Sequence, residues 1–148
     1  MPTGTSAAVR VTRHFEASAE RVFDAWLDPQ RVGRWLFTTP TGKIVRAEID
    51  ARVGGGFVIV DRRDGEDVAH QGEYLEMDRP RRLVFRFLVP KYSPLYSRVA
   101  IDIVAAGAAC DLTLVHEGVL LEHEDIAHSG WQAILAALAA DLAPLAGA

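Results

Sequence analysis

From residue 43 to residue 117 the chain is cut into short strand-forming runs by turn signals, and each break is too short to hold a crossover helix. The runs lie near 43–50, 56–63, 68–78, 82–89, 97–105 and 110–117, with Gly54-Gly55, Asp64-Gly65, Arg79-Pro80 and Ala106-Gly107 among the breaks. Such residues suit tight antiparallel connections, whereas parallel neighbours need a dozen or more linking residues. An antiparallel sheet is therefore expected. Val9, Val11, Arg13 and Phe15 alternate with their neighbours and predict an earlier strand. After it, Ser18 is placed to cap a helix whose buried stripe is Val22, Phe23, Trp26 and Leu27. Asp28-Pro29 is expected to end that helix, with a second short helix over Arg31 to Leu36.

The pattern changes period once, at Glu122. Beyond it Trp131, Ile134, Leu135, Leu138, Leu142 and Leu145 fall at offsets of 0, 3, 4, 7, 11 and 14, one face of a helix. A curved sheet can wrap that face. The expected fold class is α+β: two short helices after the first strand, then a curved antiparallel sheet wrapped on a long C-terminal helix. Residues 1–8 read as a flexible N-terminus and 9–146 as a single domain. The length of 148 residues is enough to bury a core and enclose a cavity.

Composition excludes several classes. A formal net charge of -4 argues against a phosphate-binding surface, so no nucleic-acid partner is expected. With 24% charged and 49% hydrophobic residues the chain has the make-up of a globular protein, not of a disordered one. One cysteine, Cys110, cannot form an intramolecular disulfide, and the opening Met1-Pro2-Thr3-Gly4-Thr5-Ser6 lacks a basic stretch followed by an apolar one, so a cytoplasmic location is expected. The charge-free stretch Ile126 to Ala140 falls short of the ~20 apolar residues of a bilayer span, and no membrane partner is expected.

A family resemblance rests on Phe15, Val22-Phe23, Trp26, Asp28-Pro29, Trp35, Gly54-Gly55-Gly56-Phe57, Gly72-Glu73-Tyr74, Pro80 to Phe85, Thr113 to Gly118 and Gly130-Trp131. Over roughly residues 9 to 145 the chain resembles the small bacterial members of the activator-of-heat-shock-ATPase-like group in the START/SRPBCC superfamily. The resemblance implies a helix-grip fold, like that of the birch-pollen allergen, with a cavity between sheet and C-terminal helix. It also implies a small hydrophobic or aromatic ligand. Some superfamily members are cyclases, dehydratases or hydrolases, which gives an enzymatic alternative. The eukaryotic co-chaperones of the group carry a further chaperone-binding domain, for which this length leaves no room, so a chaperone-regulating role is the weaker expectation. A homodimer is compatible with the sequence.

The candidate ligand-binding residues are Trp35, Phe37, Phe57, Tyr74, Phe85, Phe87, Tyr92 and Trp131, with Leu135 on the helix face and His116 as the polar anchor. Rings on several separate elements suit an apolar cavity oriented by a few polar groups. His116 follows Leu112 and Leu114 at period 2, so it should face the interior, where its charge could change near neutral pH. Arg13 shares that register with Val11 and Phe15. Residues Val89 to Tyr96, braced by Pro90 and Pro94, read as a loop at the cavity mouth. If chemistry occurs, His116, Arg13 or Tyr74 would handle protons, but no catalytic set is evident.

Other constellations have structural readings. His123 and His128 are at i and i+5, about 140° apart on a helix, and cannot easily share one ion. Gly54-Gly55-Gly56 lacks dinucleotide-loop spacing and leads into a strand. No metal or cofactor is expected. Arg79, Arg81 and Arg82 read as solvated charges, and Cys110 as a small buried residue. Gly130, inside a helix, suggests that a neighbour approaches closely there.

Overall fold

The computed structural model describes residues 6–37, 42–91 and 95–142. In chain order the elements are β1 (Ser6–Phe15), α1 (Ala19–Ala25), α2 (Pro29–Trp35), β2 (Lys43–Ile49), β3 (Gly56–Arg63), β4 (Glu66–Asp78), β5 (Arg82–Leu88), β6 (Ser97–Ala106) and β7 (Ala109–Leu120). A single 3-10 turn, Leu121–His123, then leads into α3 (Glu124–Leu142). All seven strands form one antiparallel sheet in the order β1-β7-β6-β5-β4-β3-β2. Strands β2 to β7 are sequential neighbours. β1 instead pairs with the last strand, Val9 opposite His116 and Phe15 opposite Cys110.

The tight connections behave as their residues require. Asp64 and Gly65 both have positive φ, 52° and 76°, as the left-handed turn of a two-residue hairpin demands. Within β4, Gly72 stands opposite Phe57, and a Cβ there would lie 2.1 Å from the Phe57 ring. The missing side chain is what lets that ring fold down onto the sheet.

The concave face is apolar: Phe57 and Ile59 on β3, Tyr74 on β4, Phe85 on β5, Ile101 on β6 and Leu112 and Leu114 on β7 are all buried. On the convex face Arg82 bridges Glu76 and Asp102, Arg86 meets Glu73, and Arg98 meets Glu117. Exposed pairs of this kind are worth well under about 1 kcal/mol each. Val84 and Ala100 on that face are nonetheless 0% and 7% exposed, consistent with long side-chain stems lying over them.

α3 lies on the concave side and buries Trp131, Leu135, Leu138 and Leu142, while Ile134 is partly covered. Leu145 lies outside the described residues. The short helices secure the far end of α3: Arg21 on α1 donates to the Leu142 carbonyl at 3.0 Å, and Arg31 and Arg34 on α2 reach Asp141 at 3.5 and 3.4 Å. A guanidinium at a helix C-terminus also complements its dipole.

Several local expectations are corrected. Ser18 caps α1, accepting from the Arg21 amide at 3.2 Å, and α1 ends at Ala25, ahead of Asp28, whose backbone is extended before Pro29; Asp28-Pro29 also opens α2, which the sequence reading did not give it. The Asp28 carboxylate accepts from the Gln30 amide at 2.9 Å and Pro29 takes the first helical position, where a missing N–H costs nothing. Gly130 is exposed, and a Cβ on it would meet nothing within 4 Å, so no close neighbour explains it. Arg13 is exposed despite its register with Val11 and Phe15. Arg79 and Arg81 are solvated as read from the sequence, pairing at the surface with Asp24 and Asp78, while Arg82 is partly covered and held as above.

Candidate functional site

Eight of the sequence-predicted residues meet in one network of rings between sheet and α3. Trp35 packs edge-on against Trp26 at 4.7 Å, and Trp26 lies 6.4 Å from Trp131 and 6.3 Å from Phe85. Phe57 contacts Tyr74 at 5.7 Å and Phe85 at 5.4 Å, and Phe87 contacts Phe85 at 6.0 Å and Trp131 at 6.5 Å. Phe37 touches Phe57, Phe87 and Trp131 at 6.2, 5.3 and 6.0 Å. His116 joins through Phe87 and Trp131. Leu135 is buried beneath them on α3; Tyr92 lies outside the described residues. Trp26, not among the candidate ligand-binding residues read from the sequence, is a central member.

The interior was expected to enclose a cavity, and here ring packs against ring. Two open hollows lie on the surface. One of about 510 Å³ is bordered by Glu48, Asp50, Gln71 and Tyr96, and one of about 400 Å³ by Leu75, Arg86, Ser97 and Glu117. Tyr96, half-exposed between them, has the Arg86 guanidinium 4.2 Å over its ring.

His116 is fixed by two bonds. The Trp131 indole N–H donates to Nδ1 at 2.9 Å, and Nε2 lies 2.7 Å from the Ser97 hydroxyl. Since indole nitrogen can only donate, Nδ1 carries no proton, and the neutral ring donates from Nε2 to Ser97. Burial pushes its pKa down to about 4, so the charge change expected near neutral pH is moved well below it. His116 thus ties α3 to β7 and β6.

Two further polar groups of the concave face were missed from sequence. His70 on β4 is buried, lies 3.3 Å through Nδ1 from the Ile59 carbonyl, and is likewise pushed down to about 4, chiefly by burial. Asp61 on β3 is wholly buried and paired at 2.6 Å with Arg63, which is largely covered itself. Both were readable by period 2, Asp61 after Phe57 and Ile59, His70 after Val68. Asp61-Arg62-Arg63-Asp64, however, looks like a charged approach to a turn. Tyr74 has its hydroxyl pKa raised by burial, so it stays protonated. Cys110 is buried with its thiol pushed up, mainly by the same cause. Among the described residues no three metal-binding side chains cluster.

Two features are costly. The Trp26 indole N–H is buried with no acceptor among the described residues, which costs about 1–3 kcal/mol. Phe37 has φ 58°, a left-handed backbone that is unfavourable by roughly 1–2 kcal/mol for a bulky side chain.

A curved antiparallel sheet gripping a C-terminal helix across an aromatic interior defines the helix-grip class. The chain belongs to the Activator of Hsp90 ATPase homolog 1-like protein family, whose model matches residues 16–143. Protein CV1439 from Chromobacterium violaceum is similar over 97% of this chain and 99% of its own, at 29% identity and a TM-score of 0.85. Protein NE0264 from Nitrosomonas europaea shares the fold at 21% identity and a TM-score of 0.79, over 91% and 93% of the two chains. DynU16, from the dynemicin biosynthetic locus, has 23% identity and a TM-score of 0.72, covering 91% of this chain and 46% of its own. No curated protein matches the chain. Among the described residues no helix is long and apolar enough to cross a membrane.

Proposed function

We propose that this protein binds a small hydrophobic or aromatic molecule between the sheet and α3, against the ring network of Phe37, Phe57, Phe85, Phe87 and Trp131. The observation that carries the reading is the polar content of that network. A core built only for stability has no use for two buried neutral histidines and an indole N–H without an acceptor among the described residues, each of which costs free energy to desolvate. Departures from the best core composition concentrate where function requires them. Family membership supports a ligand-binding fold, and the occurrence of DynU16 in a biosynthetic locus is in keeping with a small organic ligand. The test is a screen of neutral aromatic compounds by melting temperature and tryptophan emission, with native mass spectrometry of the purified chain. A ligand should raise the melting temperature saturably near one equivalent. A screen in which nothing stabilises the fold, with no co-purified compound, would sink the reading.

A second reading, cyclase, dehydratase or hydrolase chemistry, has one observation in its favour: Asp61 and His70 are both buried on adjacent strands of the concave face, with Arg63 at hand. Convergent buried titratable groups are what proton transfer needs. Should the screen yield a compound that is consumed, Asp61→Asn should abolish its turnover and leave its binding in place.

A further inference from the structure

Phe37 differs from the rings around it in how it is held. It lies beyond Leu36, the C-cap of α2, and belongs to no strand. Apart from glycine, Phe37 and Asp64 are the described residues with left-handed backbone; Asp64 sits in a hairpin turn that suits it, whereas Phe37 is bulky. Its ring lies flat on the His70 imidazole, 4.2 Å between centroids and 9° between planes. Phe57, Phe87 and Trp131 close the remaining sides. The last α2 bond, Leu36 N–H to the Val32 carbonyl at 2.8 Å, and the strand ladders involve only backbone atoms of other residues, so a change of the Phe37 side-chain torsions breaks none of them.

We propose that the Phe37 ring occupies a ligand subsite: a slot for a flat, uncharged aromatic molecule of one or two fused rings, bounded by Phe57, His70, Phe87 and Trp131, from which Phe37 swings out when that molecule enters. This rests on the reading that the interior takes an apolar ligand and adds where and of what shape. Flatness follows from the stack on His70, and ring size from the side chain displaced. Neutrality follows from the walls, carbon rings with an imidazole that burial keeps uncharged, against which a desolvated charge would find no partner. An apolar slot so vacated stays dry and accepts an aromatic guest.

The probe is indole. In the wild-type protein, nuclear Overhauser contacts between Phe37 and His70 should disappear on titration and be replaced by contacts from indole to His70. By calorimetry, Phe37→Gly, which relieves the left-handed backbone, should bind indole at least about tenfold more tightly, because no ring must first be displaced. If indole binds the wild type while Phe37 stays on His70, the slot inference falls and the interior-binding reading stands. Binding to Phe37→Gly alone would show an ordinary core ring whose removal made a hole, and the slot inference again falls. Absence of binding to both overturns the slot, and the compound screen then judges the broader reading separately. Should Phe37→Gly fail to fold, the wild-type contacts decide alone.

Discussion

A histidine held between an indole N–H and a serine hydroxyl cannot take a second proton without giving up the indole bond. His116 and His70 both have folded-state pKa values near 4 against an ordinary 6.5, so the unfolded chain binds protons more tightly. Their contribution is complete above about pH 6.5 and is lost as pH falls toward 4, on the order of 2–3 kcal/mol per histidine. Urea midpoints should therefore drop between pH 7 and pH 5, and His116→Leu should flatten part of the drop while costing about 1–3 kcal/mol at pH 7 by orphaning the Trp131 N–H. A stability flat over that range would refute the buried neutral assignment. At Gly130, where a methyl group meets nothing, Gly130→Ala should raise stability by about 1 kcal/mol, read from the same midpoints. His116 was legible because a period-2 register needs only the neighbours Leu112 and Leu114. Gly130 misled because helix glycine has two causes, a close neighbour or none, and the sequence carries no distances.

Among the elements, strands were legible to within a few residues because hairpin turns have few chemical solutions, Asp64-Gly65 above all. Asp28-Pro29 was ambiguous in principle: proline bars the residue before it from helix and equally opens the helix that follows. Removing the Asp28 cap by Asp28→Ala should cost about 1 kcal/mol. α3 matters more. Leu138 is fully buried beneath it, and Leu138→Ala should cost about 2–5 kcal/mol in denaturant unfolding. A cost below 1 kcal/mol would mean that α3 packs far more loosely on the sheet than its buried face implies.

At the scale of the whole molecule, α3 is the far wall of the interior, so a chain ending at Glu122 should lose its cooperative thermal transition; a truncated chain that still melts sharply would contradict the architecture. Whether aromatic residues line a space or fill it was not legible, since that depends on sheet curvature and helix height at a scale of one or two ångströms, whereas the alternation of residues reports only which way they face. The pairing of β1 with β7 has a consequence of its own. Phe15 and Cys110 are partners across the sheet although 95 positions apart (110 minus 15). During synthesis β1 leaves the ribosome before the other six strands and has no strand neighbour until β7 has followed, so Val9, Val11 and Phe15 wait for the whole of β2 to β7 to be made. Contacts this distant in sequence slow folding and lengthen exposure to aggregation. Of these seven strands, the one made first is the last to gain its partner.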